Sequence, residues 1–483
     1  MGSRGRTLGK TVLWLVVPLS LTVPSCAPVG PPYTAPEIHV SGRWQAQNAG
    51  PWDAGTPDAA TLACWWNTLD DPVLTDVESR VLEANKDLKL ALARVREARA
   101  VLGAQRSGLF PTLNVAGQAF RQRSSAHGTV DRAVETEFYQ AGFDAGWELD
   151  LFGGTRRAVE AALADWQAAQ AARDAVQASL MAEAALAYVE LRTYQERLNL
   201  THQNIAVQEE TYALNLSRYQ AGLIDELAVQ QSLYNLEHTR AAVAPLEAGL
   251  EAAKNRLAVL TGNEPGALEF LLAEPRPIPT VPPRVAVGIP AEALRNRPDI
   301  RQAERNLAAA TARIGQATAD LYPSFRLVGT IGLESLRAAD LWEWASRFWT
   351  IGPAVQWRLF DAGKIRRTIE IRTAQQEQAI VRYESALLQA LEEVENALVA
   401  FAKEQRRLEQ LEKAVAAAQR AAFRARDRYQ AGLVDFTDVL DAQRTLQNFQ
   451  DERAKSRGAV TAHLIRLYKA LGGGWQPSPV EHP

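Results

Sequence analysis

The sequence predicts a mainly α-helical chain with a smaller β part, built as two copies of one half-molecule. Three observations carry this. Landmarks recur in the same order at an offset of about 210 residues. Leu109-Phe110-Pro111 returns as Leu321-Tyr322-Pro323, Leu151-Phe152 as Leu359-Phe360, and Gly262 as Gly472; the run from Arg218 to Asp225 (RYQAGLID) returns from Arg428 to Asp435 (RYQAGLVD). Thr155 to Ala221 and Lys364 to Ala431 contain neither Gly nor Pro. Ahead of each of these runs, apolar and polar residues alternate with the period of a strand.

The chain has 483 residues, with 53 Lys plus Arg against 56 Asp plus Glu, and is 47% hydrophobic. That composition excludes a disordered or collagen-like chain, and the lack of a basic excess argues against nucleic acid as a partner. Only one short apolar run exists, Thr11 to Val23, behind Arg4, Arg6 and Lys10. It excludes a bundle of membrane-crossing helices and fits a cleaved signal peptide over 1–25. Val23-Pro24-Ser25-Cys26 resembles the box of a bacterial lipoprotein signal. The resemblance implies cleavage before Cys26, diacylglyceryl on its sulfur and acylation of the new amine, which together anchor stably. Ala27 follows the cysteine where Asp would direct otherwise, and this goes with outer-membrane sorting. Cys64, in Ala63-Cys64-Trp65-Trp66, is left without a disulfide partner and reads as a small buried hydrophobe. Residues 26–64 read as a lipid-anchored N-terminal extension whose early segment, with Pro28, Pro31, Pro32 and Pro36, is an extended tether.

Half one spans 65–272, a Pro-rich linker 273–288, half two 289–472 and a tail 473–483. Each long run is about 100 Å if helical throughout, too long for one compact domain to wrap, so it must lie lengthwise against other helices. Shorter helices are expected over Val73 to Ser107, Asp225 to Leu260, Ala291 to Ala319 and Phe436 to Leu471. Gly222 and Gly432 fit the residue just past a helix end. Asp225 and Asp435 fit the next N-cap, and Asp438 sits where a capping-box acid would. Each half therefore has a tight helical tip, at 219–226 and 429–438.

Strands are expected at Leu113 to Arg121, Tyr139 to Leu151, Phe325 to Glu334 and Trp349 to Leu359, as hairpins over 112–152 and 323–361. In Tyr139 to Leu151 the odd positions are apolar, with Tyr139, Phe143 and Trp147. The even ones carry Asp144, Glu148 and Asp150; in half two Arg326 and Arg358 lie on the polar face. A soluble sheet with one buried face would show the same pattern. The length of the strands instead suits about ten residues of membrane crossing with aromatics at the rims. Four strands cannot close a barrel, and an open edge in lipid is forbidden, so several chains would have to share one cylinder.

Arg297-Pro298-Asp299-Ile300, followed by Ala303-Glu304, Leu307, Ala310, Ala312, Ile314-Gly315 and Leu321-Tyr322-Pro323-Ser324, resembles the TolC-like outer-membrane efflux protein family. Tyr429, Gly432 and Asp438-Val439-Leu440-Asp441-Ala442-Gln443 resemble its second signature. With the lipoprotein signal the chain is most similar to the lipid-anchored branch that serves resistance-nodulation-division pumps. The resemblance covers roughly Trp65 to Gly472. It implies a homotrimer whose strands form one outer-membrane barrel, continued by an α-helical coiled-coil barrel. It implies a periplasmic adaptor and an inner-membrane transporter as partners, outer-membrane lipid around the strands, and no cofactor. It further implies that Asp225, Asp435, Asp438 and Asp441 ring the periplasmic entrance, and that Gly222, Leu223, Gly432 and Leu433 meet the adaptor.

Enzymatic chemistry finds no footing. The six histidines are scattered without a metal-binding pair, and Gly363-Lys364 lacks the upstream glycine of a phosphate loop. Asp144, Glu148 and Asp150 read as a wet channel wall. Two rivals to efflux remain open in the sequence: a duct for type I protein secretion, and a pore-free lipid-anchored coiled-coil scaffold.

Overall fold

The computed structural model describes residues 28–37, 40–48, 52–53, 55, 58–127, 132–282 and 285–476; Cys26, the apolar leader and most of the tail lie outside the described residues. The chain forms two compact units. One holds residues 28–30 with Leu109–Arg157 and Gly315–Ile365, and the other holds Pro31–Gly108, Ala158–Ile314 and the remainder from Arg366.

The first unit is a four-stranded antiparallel sheet in the order β1 (Thr112–Arg123), β2 (Glu135–Leu149), β3 (Ser324–Ser335), β4 (Arg347–Gln356). Pairing is continuous, from Thr112↔Gly146 to Arg123↔Glu135 in the first hairpin and from Ser324↔Gln356 to Leu333↔Arg347 in the second. β2 and β3 join the hairpins, with Phe143 opposite Ile331. The alternation in half two continues to Leu359, but pairing stops at Gln356 because its partner Ser324 follows Pro323, which has no N–H to give a ladder. Trp357, Arg358 and Leu359 therefore lie past the sheet.

The second unit is helical. Its long members are α1 (Pro72–Ala84), α2 (Lys86–Ser107), α3 (Gly154–Gln220), α4 (Glu226–Ala241), α5 (Val243–Leu260), α6 (Pro298–Ala319), α7 (Lys364–Gln430) and α8 (Phe436–Ala470). No helix among the described residues is long and apolar enough to cross a membrane.

Three helices expected to be continuous are broken, each for a local reason. Asn85 leaves helical geometry between α1 and α2. Its side-chain oxygen accepts from the N–H of Asp87 and Leu88, and its amide donates to the Leu260 carbonyl at 2.8 Å. Pro245 removes a donor near the start of α5, and the chain turns at Ala242; half two has Lys455 at the matching place, and α8 runs unbroken. Pro298 starts α6 and separates it from the short helix Pro290–Arg295.

The core of this unit gathers Trp65, Leu74, Tyr188, Leu257, Phe401 and Leu464, with Trp65 stacked on Tyr468 at 5.7 Å between ring centroids. Trp52 and Asp53 pair in parallel with Val285 and Ala286. Buried arginines tie distant backbone ends into this core. Arg192 donates to the Glu274 carbonyl at 2.8 Å. Arg297, from the signature run, donates to the Ala470 carbonyl at 2.8 Å and pairs with Asp299 and Glu393, both at 2.7 Å.

Glu78 brings a carboxyl into this core. It is fully buried on α1, and neither carboxyl oxygen has a hydrogen-bond partner among the described residues. Burial pushes its carboxyl well above the ordinary value of 4.5, which favours the neutral form. A carboxyl whose folded-state pKa is raised binds its proton more tightly when folded; the stability it contributes is full below about pH 4.5 and declines as pH rises. Glu78→Gln should thus raise the melting temperature at about pH 8 and leave it unchanged at about pH 4. Melting curves displaced equally at both pH values would contradict this.

Candidate functional site

In the sheet unit, residue parity separates two faces. The odd face carries Leu113, Val115, Phe143, Trp147, Leu327, Ile331, Trp349, Ile351 and Val355, all exposed. Val115 is 76% and Trp349 73% accessible, so the chain leaves its own apolar side uncovered. A contiguous apolar face of this kind marks a surface built to meet another apolar phase. The even face is mostly polar or small, with Phe120, Phe138, Val328 and Phe348 as its apolar members. One rung reads Asn114, Asp144, Thr330, Thr350, and the Thr330 hydroxyl donates to Asp144 at 2.9 Å. Another pairs Glu148 with Arg326 at 3.6 Å. The edge strands β1 and β4 each have one neighbour, leaving two unpaired edges.

Two expected wall residues lie elsewhere. Asp150 is past the end of β2 and caps α3: its carboxylate accepts from the N–H of Thr155 at 3.2 Å and Arg156 at 2.8 Å. Arg358 is past the end of β4. The alternation that put both on the polar face does not extend to them. At the same end, the Trp147 indole donates to the Leu109 carbonyl at 3.0 Å and Trp357 to the Leu321 carbonyl at 3.1 Å, one contact repeated in both halves. Residues just after Cys26 are fixed here too: the Val29 N–H donates to the Phe152 carbonyl at 3.0 Å, and Arg157 donates to the carbonyls of Val29 and Gly30 at 3.1 and 3.2 Å.

In the helical unit the two tips have the same geometry. Gly222 and Gly432 adopt φ of 72° and 73°, the left-handed conformation glycine takes most easily. The Leu223 N–H donates to the Arg218 carbonyl and the Leu433 N–H to the Arg428 carbonyl, both at 2.9 Å, closing each helix end. Leu223 and Leu433 are exposed. The aspartates then diverge. Asp225 caps α4 through the Leu227 N–H. Asp435 occupies the same place before α8, but its side chain makes no capping bond. Asp435, Asp438 and Asp441 are all exposed, and none has a carboxylate partner among the described residues.

A constellation the sequence did not reveal joins the two tips. The Tyr429 hydroxyl donates to Asn215 at 3.0 Å, and Asn215 is fully buried. The Arg218 guanidinium lies 5.2 Å over the Tyr429 ring and donates to the Gln430 carbonyl at 3.1 Å. Tyr429 packs on Phe436 with Val439 and Leu440. A cavity of about 680 Å³ opens beside these residues, lined also by Leu223, Asp225 and Asp435. The repeated Arg-Tyr pair was the available signal. Its asymmetry was not, for Tyr219 is 42% accessible where Tyr429 is 8%. Among the described residues no group of three or more His, Cys, Asp or Glu could hold a metal ion.

The family model described as outer membrane efflux protein matches residues 77–263 and 289–473. The outer membrane protein OprJ of Pseudomonas aeruginosa is 31% identical over 462 residues, 95% of each chain. The solvent efflux pump outer membrane protein SrpC of Pseudomonas putida is 31% identical over 460 residues, 93% of this chain and 95% of its own. The solved structure of the outer-membrane channel OprN matches with a TM-score of 0.88 at 36% identity, over 93% of this chain and 100% of that one. The model matches once in each half, and the two matches together take in both the sheet and the tips: the chain belongs to the outer membrane efflux protein family.

Proposed function

We propose that this chain is the outer-membrane channel of a tripartite efflux pump, a passive conduit for small molecules whose transport is energised by an inner-membrane partner. The observation that carries the reading is the sheet, with its exposed apolar face, polar opposite face and two unpaired edges. Open edges in lipid are too costly to persist, because each unpaired N–H and C=O would face hydrocarbon. Three copies would supply twelve strands, enough to enclose a water-filled lumen. Asp144, Glu148 and Arg326 would then face the lumen and Val115, Ile331 and Trp349 the lipid. A scaffold without a pore has no use for such a face.

On this reading Cys26 carries the lipid anchor, and a periplasmic adaptor meets the exposed Leu223 and Leu433 beside Gly222 and Gly432. A resistance-nodulation-division transporter delivers the solute. Purified from outer membranes, the chain should run as a trimer and conduct in planar bilayers. A monodisperse monomer without conductance would refute the proposal.

The free carboxylates of Asp435, Asp438 and Asp441 support a role at the entrance, where three copies would repel one another and favour cations. Asp435→Ala with Asp438→Ala should raise the leak of the resting channel and leave the melting temperature unchanged. Single-channel recording with wild-type currents in the double variant would contradict it.

A further inference from the structure

The faces of the first hairpin exchange character near its far end, away from the residues that lead into α3. β1 and β2 pair without a bulge over their whole length, so parity assigns every side chain to a face. As far as Ala119↔Tyr139 the odd face is apolar, and Asn114, Asp144, Gln118 and Gln140 lie on the even one. Beyond that rung the odd face carries Arg121, Arg123, Glu135 and Glu137, with Arg121 and Glu135 paired at 2.7 Å. The even face there carries Phe120 opposite Phe138, ring centroids 5.3 Å apart. Phe120 is 46% accessible.

Charges on the lipid-side face do not belong at hydrocarbon depth, so this end of the ribbon stands clear of the bilayer core. The aromatic pair faces the other way, onto a wall that is polar or small apart from Val328 and Phe348. In the second hairpin Arg347 lies on the odd face opposite Leu333 and Phe348 on the even face opposite Gly332, while Glu334 pairs with Gln140 and β3 ends at Ser335. We propose that Phe120 and Phe138 form an aromatic collar at the outer mouth of the pore, one pair from each copy of the chain, which narrows the exit and favours apolar solutes over hydrated ions. Hydrophobic constrictions act on ions because a narrow apolar ring sheds its water.

The collar rests on the channel reading, and the test separates the two. Trimers are reconstituted in planar bilayers in a Cys64→Ser background. Phe120→Ser with Phe138→Ser should raise single-channel conductance on the order of twofold. Phe138→Cys, which stays apolar and preserves assembly, should lose about half its conductance or more when treated with a bulky water-soluble thiol reagent. Val115→Cys, on the opposite face, should be indifferent to the same reagent. A conducting Phe138→Cys trimer untouched by the reagent overturns the collar. A wild-type trimer that conducts nothing overturns the channel instead.

Discussion

An arginine at Ile331 is expected to keep the chain out of the outer membrane, while an arginine at the adjacent Thr330 is accepted. Ile331 is 61% accessible on the apolar face, between Phe143 of β2 and Trp349 of β4. A guanidinium at that depth costs about 2–4 kcal/mol in a membrane barrel, and three copies would share one wall. Thr330 is one residue away on the opposite face, with its hydroxyl against Asp144. An arginine there meets a carboxylate and water. The Ile331→Arg chain should be missing from the trimer band of outer-membrane fractions; Thr330→Arg should be present there and shift ion preference toward anions. Equal trimer yields from the two variants would remove the basis for calling the odd face lipid-facing.

Releasing the Tyr429 link is expected to open the tips. Tyr429→Phe leaves the buried Asn215 without the hydroxyl it accepts from, at a cost of about 1–3 kcal/mol. Arg218→Ala removes a cation stacked on the ring and a bond to the Gln430 carbonyl, worth about 0.5–2 kcal/mol for the stacking. Both contacts hold one tip hairpin to the other, so losing them weakens only the arrangement in which the hairpins meet. A bias of about 1.4 kcal/mol changes that population tenfold. The double variant should conduct more and admit large antibiotics to the periplasm, with the core centred on Trp65 and Leu257 still melting cooperatively. Unchanged currents and unchanged susceptibility would show that this link does not hold the tips shut.

Much of this was legible because the chain states it twice. The long helices, the tip glycines and the four strands follow from local rules of spacing and composition. What escaped depends on partners far apart in sequence. Asn85 reads as an ordinary polar residue until the Leu260 carbonyl is placed beside it. Asp150 continues a perfect alternation, yet the helix that begins four residues on needs its carboxylate more than the wall does. The copies diverge where one tip must meet the other: Asn215 has Ala425 at the matching position, so only Tyr429 finds a buried acceptor. Pro245 was in plain view, but a proline in the first turn of a helix and a proline that splits one look alike without the third dimension.

The two bare edges of the sheet also carry a genetic consequence. On the trimeric reading every cylinder is finished by siblings, so a subunit that joins but cannot seal spoils the healthy ones beside it. In a cell making sound and faulty copies equally, only about one assembly in eight would be wholly sound. Alleles damaged at β1 or β4 should therefore be dominant, whereas those that never leave the inner membrane should be silent.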